Sequence, residues 1–259
     1  IYNNSCMTRK SFGGKKLIVF DLDGTLTWSK APVEKDIVTL LSRLLDKKMV
    51  AVIGGGRYEQ FKNQFVNYLP RDDYRLKRLF IFPTSATAFY KFAKNDWQRI
   101  YSHGLSILER KKIKYAFKEA FSKIGYKHPK KTYGVVIEDR GTQITFSAAG
   151  QKAPLKVKEN WNKNFDVRPK LMKVLIKLLP QFEVRRGGLT SIDVTRKGID
   201  KAYGIRQIEK KLGFKRKEII FVGDAIYPGG NDYAVVKTGV DYVKVKDPEE
   251  TKKIIKKLI

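Results

Sequence analysis

The sequence predicts an α/β fold in which a parallel sheet, covered on both faces by helices, is interrupted by an inserted α+β domain. Three observations carry this expectation. The apolar runs at residues 17–20 and 219–222 lie far apart in the chain, yet each is followed within two residues by an aspartate, as Asp-Leu-Asp-Gly in the first case and Gly-Asp in the second. The first run leads into an amphipathic stretch and a second apolar run, the pattern of a βαβ unit. Between about residues 90 and 195 the pattern changes to long helices and hairpin signals.

Each element follows from local sequence. Leu17-Ile18-Val19-Phe20 stands between Lys15-Lys16 and Asp21-Leu22-Asp23-Gly24, and an unbroken apolar run fits a central strand buried on both faces. Residues 33–48 place Ile37, Val38, Leu40, Leu41, Leu44 and Leu45 at helical spacing. Val50-Ala51-Val52-Ile53 predicts a second strand, closed by Gly54-Gly55-Gly56-Arg57. A helix over 59–68, stopped by Pro70, and a third strand over 79–82 precede Pro83.

In the middle region residues 105–123 predict a long amphipathic helix, and 133–138 with 143–146 a hairpin around Arg140-Gly141. A second helix over 168–179 ends before Pro180, and 182–186 with 190–195 flank Gly187-Gly188 as another hairpin. Such a set makes an antiparallel sheet with helices on one face. The parallel pattern then resumes with a helix over 200–212, a strand over 218–222, a shorter strand near 242–245 and a terminal helix from Pro248. The expected organisation is a leader over 1–16, a core domain from 17–90 and 196–259, and an inserted domain over 91–195.

Composition narrows the class. A chain of 259 residues with 42% hydrophobic content has ample material for a buried core. No apolar run approaches the length of about eighteen residues that suggests a membrane span, so no membrane partner is expected. Residues 1–16 are polar, without an apolar signal segment. Cys6 is the single cysteine, which excludes an intrachain disulfide and a cysteine-based metal site; a reducing, cytoplasmic location is expected. Lysine and arginine number 54 against 26 acids, a net charge of +28. Such charge attracts polyanions and anionic substrates. The cations are nevertheless dispersed in pairs such as Lys47-Lys48, Lys111-Lys112 and Lys210-Lys211, with no run of the five or six like charges that marks a binding tail. Nucleic acid is accordingly not the expected partner.

Chemistry enters at the strand ends, because open α/β sheets bind ligands at their carboxyl edge. Asp21 and Asp23 stand there together, and two like charges repel unless a cation holds them. Oxygen ligands favour Mg²⁺ over a transition metal. Asp-Gly is also a common turn pair, so the first motif by itself allows a turn or a site. Asp224 repeats the arrangement after its own strand, followed by Pro228-Gly229-Gly230-Asn231-Asp232. If the two strands are neighbours, Asp21, Asp23, Asp224 and Asp232 converge on one point and form a metal site.

These residues resemble the haloacid dehalogenase (HAD) superfamily of phosphotransferases. Asp21-Leu22-Asp23-Gly24-Thr25 matches its first motif, Lys201 its third, and Gly223-Asp224 through Gly230-Asn231-Asp232 its fourth. Within subfamily IIB the chain is similar to the eukaryotic-type phosphomannomutases over Arg140-Gly141-Thr142, residues 188–194, Gly198-Ile199-Asp200-Lys201 and residues 228–233. The resemblance implies a Rossmann-like HAD core with an inserted C2-type cap. It implies that Asp21 is the nucleophile forming an aspartyl-phosphate, that Asp23 is the general acid/base, and that Lys201 binds the phosphoryl oxygens. Mg²⁺ would be held by Asp21, the Asp23 backbone carbonyl and Asp224, with Asp232 in support. Thr25, Lys30, Gly55, Gly56, Arg140, Ser191 and Asp193 would bind the substrate, a small phosphorylated metabolite of the sugar-phosphate kind. A homodimer through the cap is the expected assembly.

Two departures bear on the reaction. The second motif, where the superfamily carries Ser or Thr, is Gly54-Gly55-Gly56, which leaves phosphate binding to backbone N–H groups. Ser147 stands where the mutases carry a cap arginine, and residues 148–154 do not reproduce the next one. A mutase holds a bisphosphorylated intermediate by either end, so a reduced distal phosphate site favours water as the acceptor. The expectation is a Mg²⁺-dependent phosphohydrolase. Phosphomannomutase-like isomerisation is the alternative, and a polyanion-binding protein with a relic site the third reading.

Overall fold

The structure, a computed structural model, describes Phe12, residues 14–162 and residues 167–259. Most of the expected leader, Cys6 included, lies outside the described residues. The chain divides into two compact units at 102/103 and 199/200.

The first unit is built on a seven-stranded sheet. In chain order its elements are β1 (Leu17–Asp21), α1 (Lys35–Lys47), β2 (Met49–Ile53), α2 (Tyr58–Gln64), α3 (Asp73–Leu76), β3 (Leu79–Phe82), the one-turn segment α4 (Pro83–Ala86), β4 (Ala88–Ala93) and β5 (Asp96–Ser102). The strand order is β11-β10-β1-β2-β3-β4-β5, where β10 (Ile219–Gly223) and β11 (Asp241–Lys244) come from the end of the chain. Strands β11 through β3 pair in parallel, whereas β3-β4 and β4-β5 are antiparallel.

The apolar runs alternate between two cores. Ile18, Phe20, Val50, Val52, Ile220 and Val222 pack against α1 and the terminal helix α9 (Pro248–Leu258). Leu17, Val19, Ala51, Ile53, Ile219 and Phe221 pack with Ile205 and Ile208 of α8 (Lys201–Leu212) on the opposite face. Burial on both faces is why these strands lack the polar alternation of a one-sided sheet.

The expected boundary at residue 91 is corrected: it falls inside β4, and residues 91–102 belong to the core sheet. The hairpin was hidden because its turn contains no glycine. Lys94 and Asn95 take φ values of 51° and 61°, the left-handed pair of a tight hairpin turn usually filled by Asn-Gly. The start of the core also moves, since Lys15 is buried with its ammonium 2.6 Å from Asp241. The helix expected over 59–68 stops at Gln64 and continues as a 3₁₀ turn over Val66–Tyr68.

The second unit contains α5 (Ile107–Lys123), β6 (Ile137–Asp139), β7 (Ile144–Ser147), α6 (Leu155–Asn162), α7 (Val167–Leu178), β8 (Phe182–Arg186) and β9 (Ser191–Arg196). Its antiparallel sheet has the order β6-β7-β9-β8. One sheet face carries Ile144, Phe146, Phe182, Val184, Ile192 and Val194 into a core with Phe117, Phe121, Leu171 and Leu175 of the helices. Two findings differ from expectation: β6 is shorter than the 133–138 strand, and α6 had no sequence-based counterpart. Among the described residues no helix is long and apolar enough to cross a membrane.

Candidate active site

Strand pairing decides where the acids go. Phe20 lies opposite Val222, so Asp21 at the end of β1 and Asp224 just past β10 share the carboxyl edge of the sheet. Gly24 adopts φ +89°, and a Cβ there would come within 2.7 Å of Asp224 Oδ2. Glycine therefore serves twice, for the left-handed turn and for the close approach to the carboxylate. Thr25 Oγ1 donates to Asp224 Oδ1 at 3.3 Å.

Asp200 caps α8, accepting from the Tyr203 N–H at 2.7 Å, which starts the helix at Lys201. The buried ammonium of Lys201 lies 2.5 Å from Asp21 Oδ1 and also pairs with Asp232. Asp232 is fully buried, and its other oxygen accepts from the Ala225 N–H at 3.0 Å. Asp21, Asp224 and Asp232 each present an oxygen within 4.8 Å of the others. Asp21 Oδ2 is buried and receives no hydrogen bond. A trio of hard oxygen donors with one orphaned oxygen fits a hard divalent cation such as Mg²⁺.

Electrostatics agree. Burial raises the Asp21 carboxyl well above its ordinary range, Lys201 opposes this, and Asp232 and Asp224 push it up further. Burial likewise raises Asp224, reinforced by Asp232. For Lys201 burial alone would depress the ammonium, but Asp21 and Asp232 prevail and hold it above its usual value.

Asp23 stands apart from the trio. Its Oδ1 accepts from the Lys30 N–H at 2.6 Å and from Gln64 Nε2 at 3.1 Å, and its Oδ2 accepts from Gln60 Nε2 at 3.3 Å. The metal-ligand role expected of Asp23 thus rests on its backbone carbonyl, because this carboxylate faces the amides. Lys30, expected to meet substrate, meets Asp23 through its own backbone. Gln60 and Gln64 were missed in the sequence; their signal was two amides at i and i+4 on one face of the helix after the glycine turn.

Of the second motif, Gly54 donates to the Phe82 carbonyl at 3.2 Å, and the Gly54 and Gly56 carbonyls accept from Ser85 and Thr84 at 2.9 and 2.8 Å. Gly55 and Gly56 therefore sit at the end of β2, the strand beside Asp21.

The second unit holds its candidates on the polar face of its own sheet. Arg140 Nε donates to Glu138 Oε2 at 2.9 Å and its Nη2 to Gln151 Oε1 at 3.2 Å. Thr145 lies opposite Asp193 and donates to its Oδ1 at 2.7 Å, while Gln143 Nε2 donates to Thr145 at 2.8 Å. Ser191 lies opposite Ser147, whose hydroxyl turns to the Gly150 carbonyl at 3.2 Å. Glu138, Gln143 and Thr145 were not singled out by sequence.

Comparison with known proteins places this arrangement. The sequence profile of the family described as eukaryotic phosphomannomutase matches residues 37–259. The chain is similar to a phosphomannomutase of Saccharomyces cerevisiae, 29% identical over 249 residues and covering 93% of each chain. It is 24% identical to phosphomannomutase 1 of Homo sapiens over 226 residues, covering 85% of this chain and 82% of that one. Among solved structures, an IMP-bound IMP-nucleotidase of Plasmodium falciparum aligns with a TM-score of 0.69 at 18% identity, over 95% of this chain and 68% of that one. A haloacid dehalogenase-like hydrolase from Bacteroides thetaiotaomicron aligns with a TM-score of 0.61 at 16% identity, over 95% and 100%.

Proposed function

From this chain's membership of the eukaryotic phosphomannomutase family, enzymes of the HAD phosphotransferase type, we propose that it is a Mg²⁺-dependent phosphohydrolase of a small sugar phosphate. The observation that carries the chemistry is the buried Asp21, held through Oδ1 by Lys201 with Oδ2 left without a donor. A carboxylate oriented through one oxygen presents the other to an electrophile.

In this reading Asp21 attacks phosphorus, a P–O bond to Asp21 forms, and the bond to the leaving oxygen breaks as Asp23 protonates it. Asp23 then takes a proton from the water that attacks the aspartyl-phosphate, releasing inorganic phosphate and regenerating Asp21. Lys201 neutralises charge on the phosphoryl oxygens, and the Gly55–Gly56 backbone and Thr25 line the same strand edge. When bound by Asp21, Asp224, Asp232 and the Asp23 carbonyl, Mg²⁺ would neutralise charge on the transferring group. On the second unit, Arg140, Ser191 and Asp193 are this reading's candidates for recognising a sugar phosphate.

Water is favoured as acceptor by the state of the distal binding residues. Arg140 is occupied by Glu138, and Ser147, in place of an arginine, hydrogen-bonds its own loop. The second reading, sugar-phosphate isomerisation, is favoured by the family match over residues 37–259. A screen of phosphorylated sugars with Mg²⁺, following free phosphate and isomerised product together, separates the two. Predominant isomerisation would falsify the hydrolase reading. Asp21→Asn should abolish both products while leaving the fold intact, and retained turnover would remove Asp21 from the nucleophile role.

A further inference from the structure

The segment joining β3 to β4 is strained in a way the reaction scheme does not use. Thr84, Ser85 and Ala86 have φ values of 49°, 55° and 65°, three consecutive non-glycine residues in the left-handed region. There each Cβ crowds the following carbonyl, and such strain survives only where surrounding contacts over-determine it.

The contacts are specific. Thr84 and Ser85 donate their N–H groups to the Gly56 and Gly54 carbonyls, which turns both carbonyls of the glycine loop toward the segment. The Thr84 and Thr87 hydroxyls meet at 2.5 Å, and Thr87 Oγ1 also donates to the Thr84 carbonyl at 2.8 Å, closing the turn on itself. Tyr101 fastens it from the hairpin by donating to the Ala86 carbonyl at 3.0 Å. On its other side Ala86, fully buried, faces α8 at Gly204, where an added Cβ would lie 3.1 Å from the Ala86 Cβ and 2.8 Å from Ile53 Cδ1. Gly204 follows Lys201 by three residues, so the two occupy one face of the helix. Glycine is a poor residue for a helix interior, and here it purchases close approach of α8 to the turn.

We propose that the left-handed turn Thr84–Ala86 is a positioning element, wedged between the glycine loop and α8, that sets how far Lys201 reaches between Asp21 and Asp232. This rests on the reading of Asp21 as phosphoryl acceptor and Lys201 as its partner. Thr84 and Ala86 are buried, so the turn acts through the two structures it holds. These are the glycine loop, to which the functional reading gives phosphate binding, and the helix whose first residue, Lys201, it gives charge neutralisation.

The test is a compensation cycle with p-nitrophenyl phosphate and Mg²⁺. Gly204→Ala improves helix propensity but drives a methyl into Ala86 and Ile53, and kcat/KM should fall at least tenfold. Ala86→Gly relaxes the turn, so the thermal midpoint should rise while kcat/KM falls several-fold, a divergence that a purely structural role does not produce. In the double variant the methyl introduced at position 204 occupies space vacated by the Ala86 side chain, the flexible end of Ile53 yields, and kcat/KM should recover to within about threefold of wild type. A Gly204→Ala enzyme with wild-type kcat/KM overturns the proposal, as does a double variant no better than the worse single one. Should Gly204→Ala not fold, Ala86→Gly decides alone: a raised midpoint with unchanged kcat/KM overturns the wedge. A wild-type protein inactive on every phosphorylated substrate sinks the functional reading instead. The wedge is then judged by crystal structures, in which Lys201 Nζ should leave hydrogen-bond reach of Asp21 in Gly204→Ala and return in the double variant; an unmoved ammonium overturns it.

Discussion

Asp21 and Lys201 form a buried ion pair, Oδ1 to Nζ at 2.5 Å, and the same ammonium serves Asp232. Two acids from opposite ends of the chain are thereby held at one strand edge by a single cation. Buried pairs gain little over an apolar isostere, but removing one partner leaves uncompensated charge.

Lys201→Met should therefore destabilise the metal-free protein by about 3–5 kcal/mol. In a protein of this size that lowers the thermal midpoint by roughly 10 °C. Turnover should fall by two or more orders of magnitude, since the phosphoryl oxygens lose their cation as well. Thermal melts and steady-state kinetics check both; a variant with unchanged activity would show that Lys201 is only a structural partner of Asp21.

The raised carboxyls set the pH dependence. Asp21 and Asp224 are held above the ordinary value of 3.8, so the folded state binds their protons more tightly than the unfolded chain does. Their contribution is whole below about pH 4 and is lost as pH climbs through the raised folded values. The metal-free midpoint should thus decline from about pH 4 toward neutrality. Mg²⁺ should restore it by an increment that grows with pH. A flat metal-free profile with no Mg²⁺ increment at neutral pH would contradict the carboxylate trio as a cation site.

Arg140 is restrained by Glu138, with only 7% and 16% of the two side chains exposed. Glu138→Gln releases the guanidinium from its charge partner, and KM for a sugar phosphate should drop several-fold. Arg140→Ala should raise that KM at least tenfold while leaving p-nitrophenyl phosphate turnover nearly unchanged. Equal effects on both substrates would take Arg140 out of sugar-phosphate recognition.

The amides of Gln60 and Gln64 each reach one oxygen of Asp23. Gln60→Met with Gln64→Met keeps side-chain length and removes both donors. If Asp23 handles the protons, kcat should fall by about one to two orders of magnitude, a part of the roughly 100- to 10,000-fold that a positioned acid/base supplies, with KM little changed and phosphoenzyme accumulating. Rapid-quench measurement of the phosphorylated enzyme decides this, and an undiminished dephosphorylation rate rejects the positioning role.

Much of the candidate site was legible because its signals are local. An unbroken apolar run ending in Asp-x-Asp-Gly reports a strand buried on both faces and acids at its end, whatever the rest of the chain does. The same holds for Gly223-Asp224. Lys201 was reached through its place in a family motif, and the Asp200 cap that makes it the first residue of α8 came from the structure. The β4-β5 hairpin escaped because Lys94-Asn95 fills a turn normally marked by glycine, and tertiary pairing with β3 supports what local preference does not.

By itself the sequence determined the α/β class, the inserted antiparallel unit and the identity of the acids, because periodicity and turn chemistry act over a few residues. Only the tertiary structure decided which groups those residues meet. Asp23 faces two amides rather than the Asp21–Asp224–Asp232 trio, Arg140 is committed to Glu138, and a left-handed turn of Thr, Ser and Ala seats the helix of Lys201. The physical reason is that burial and partner choice depend on strand order and helix seating across long sequence separations. No local pattern records them.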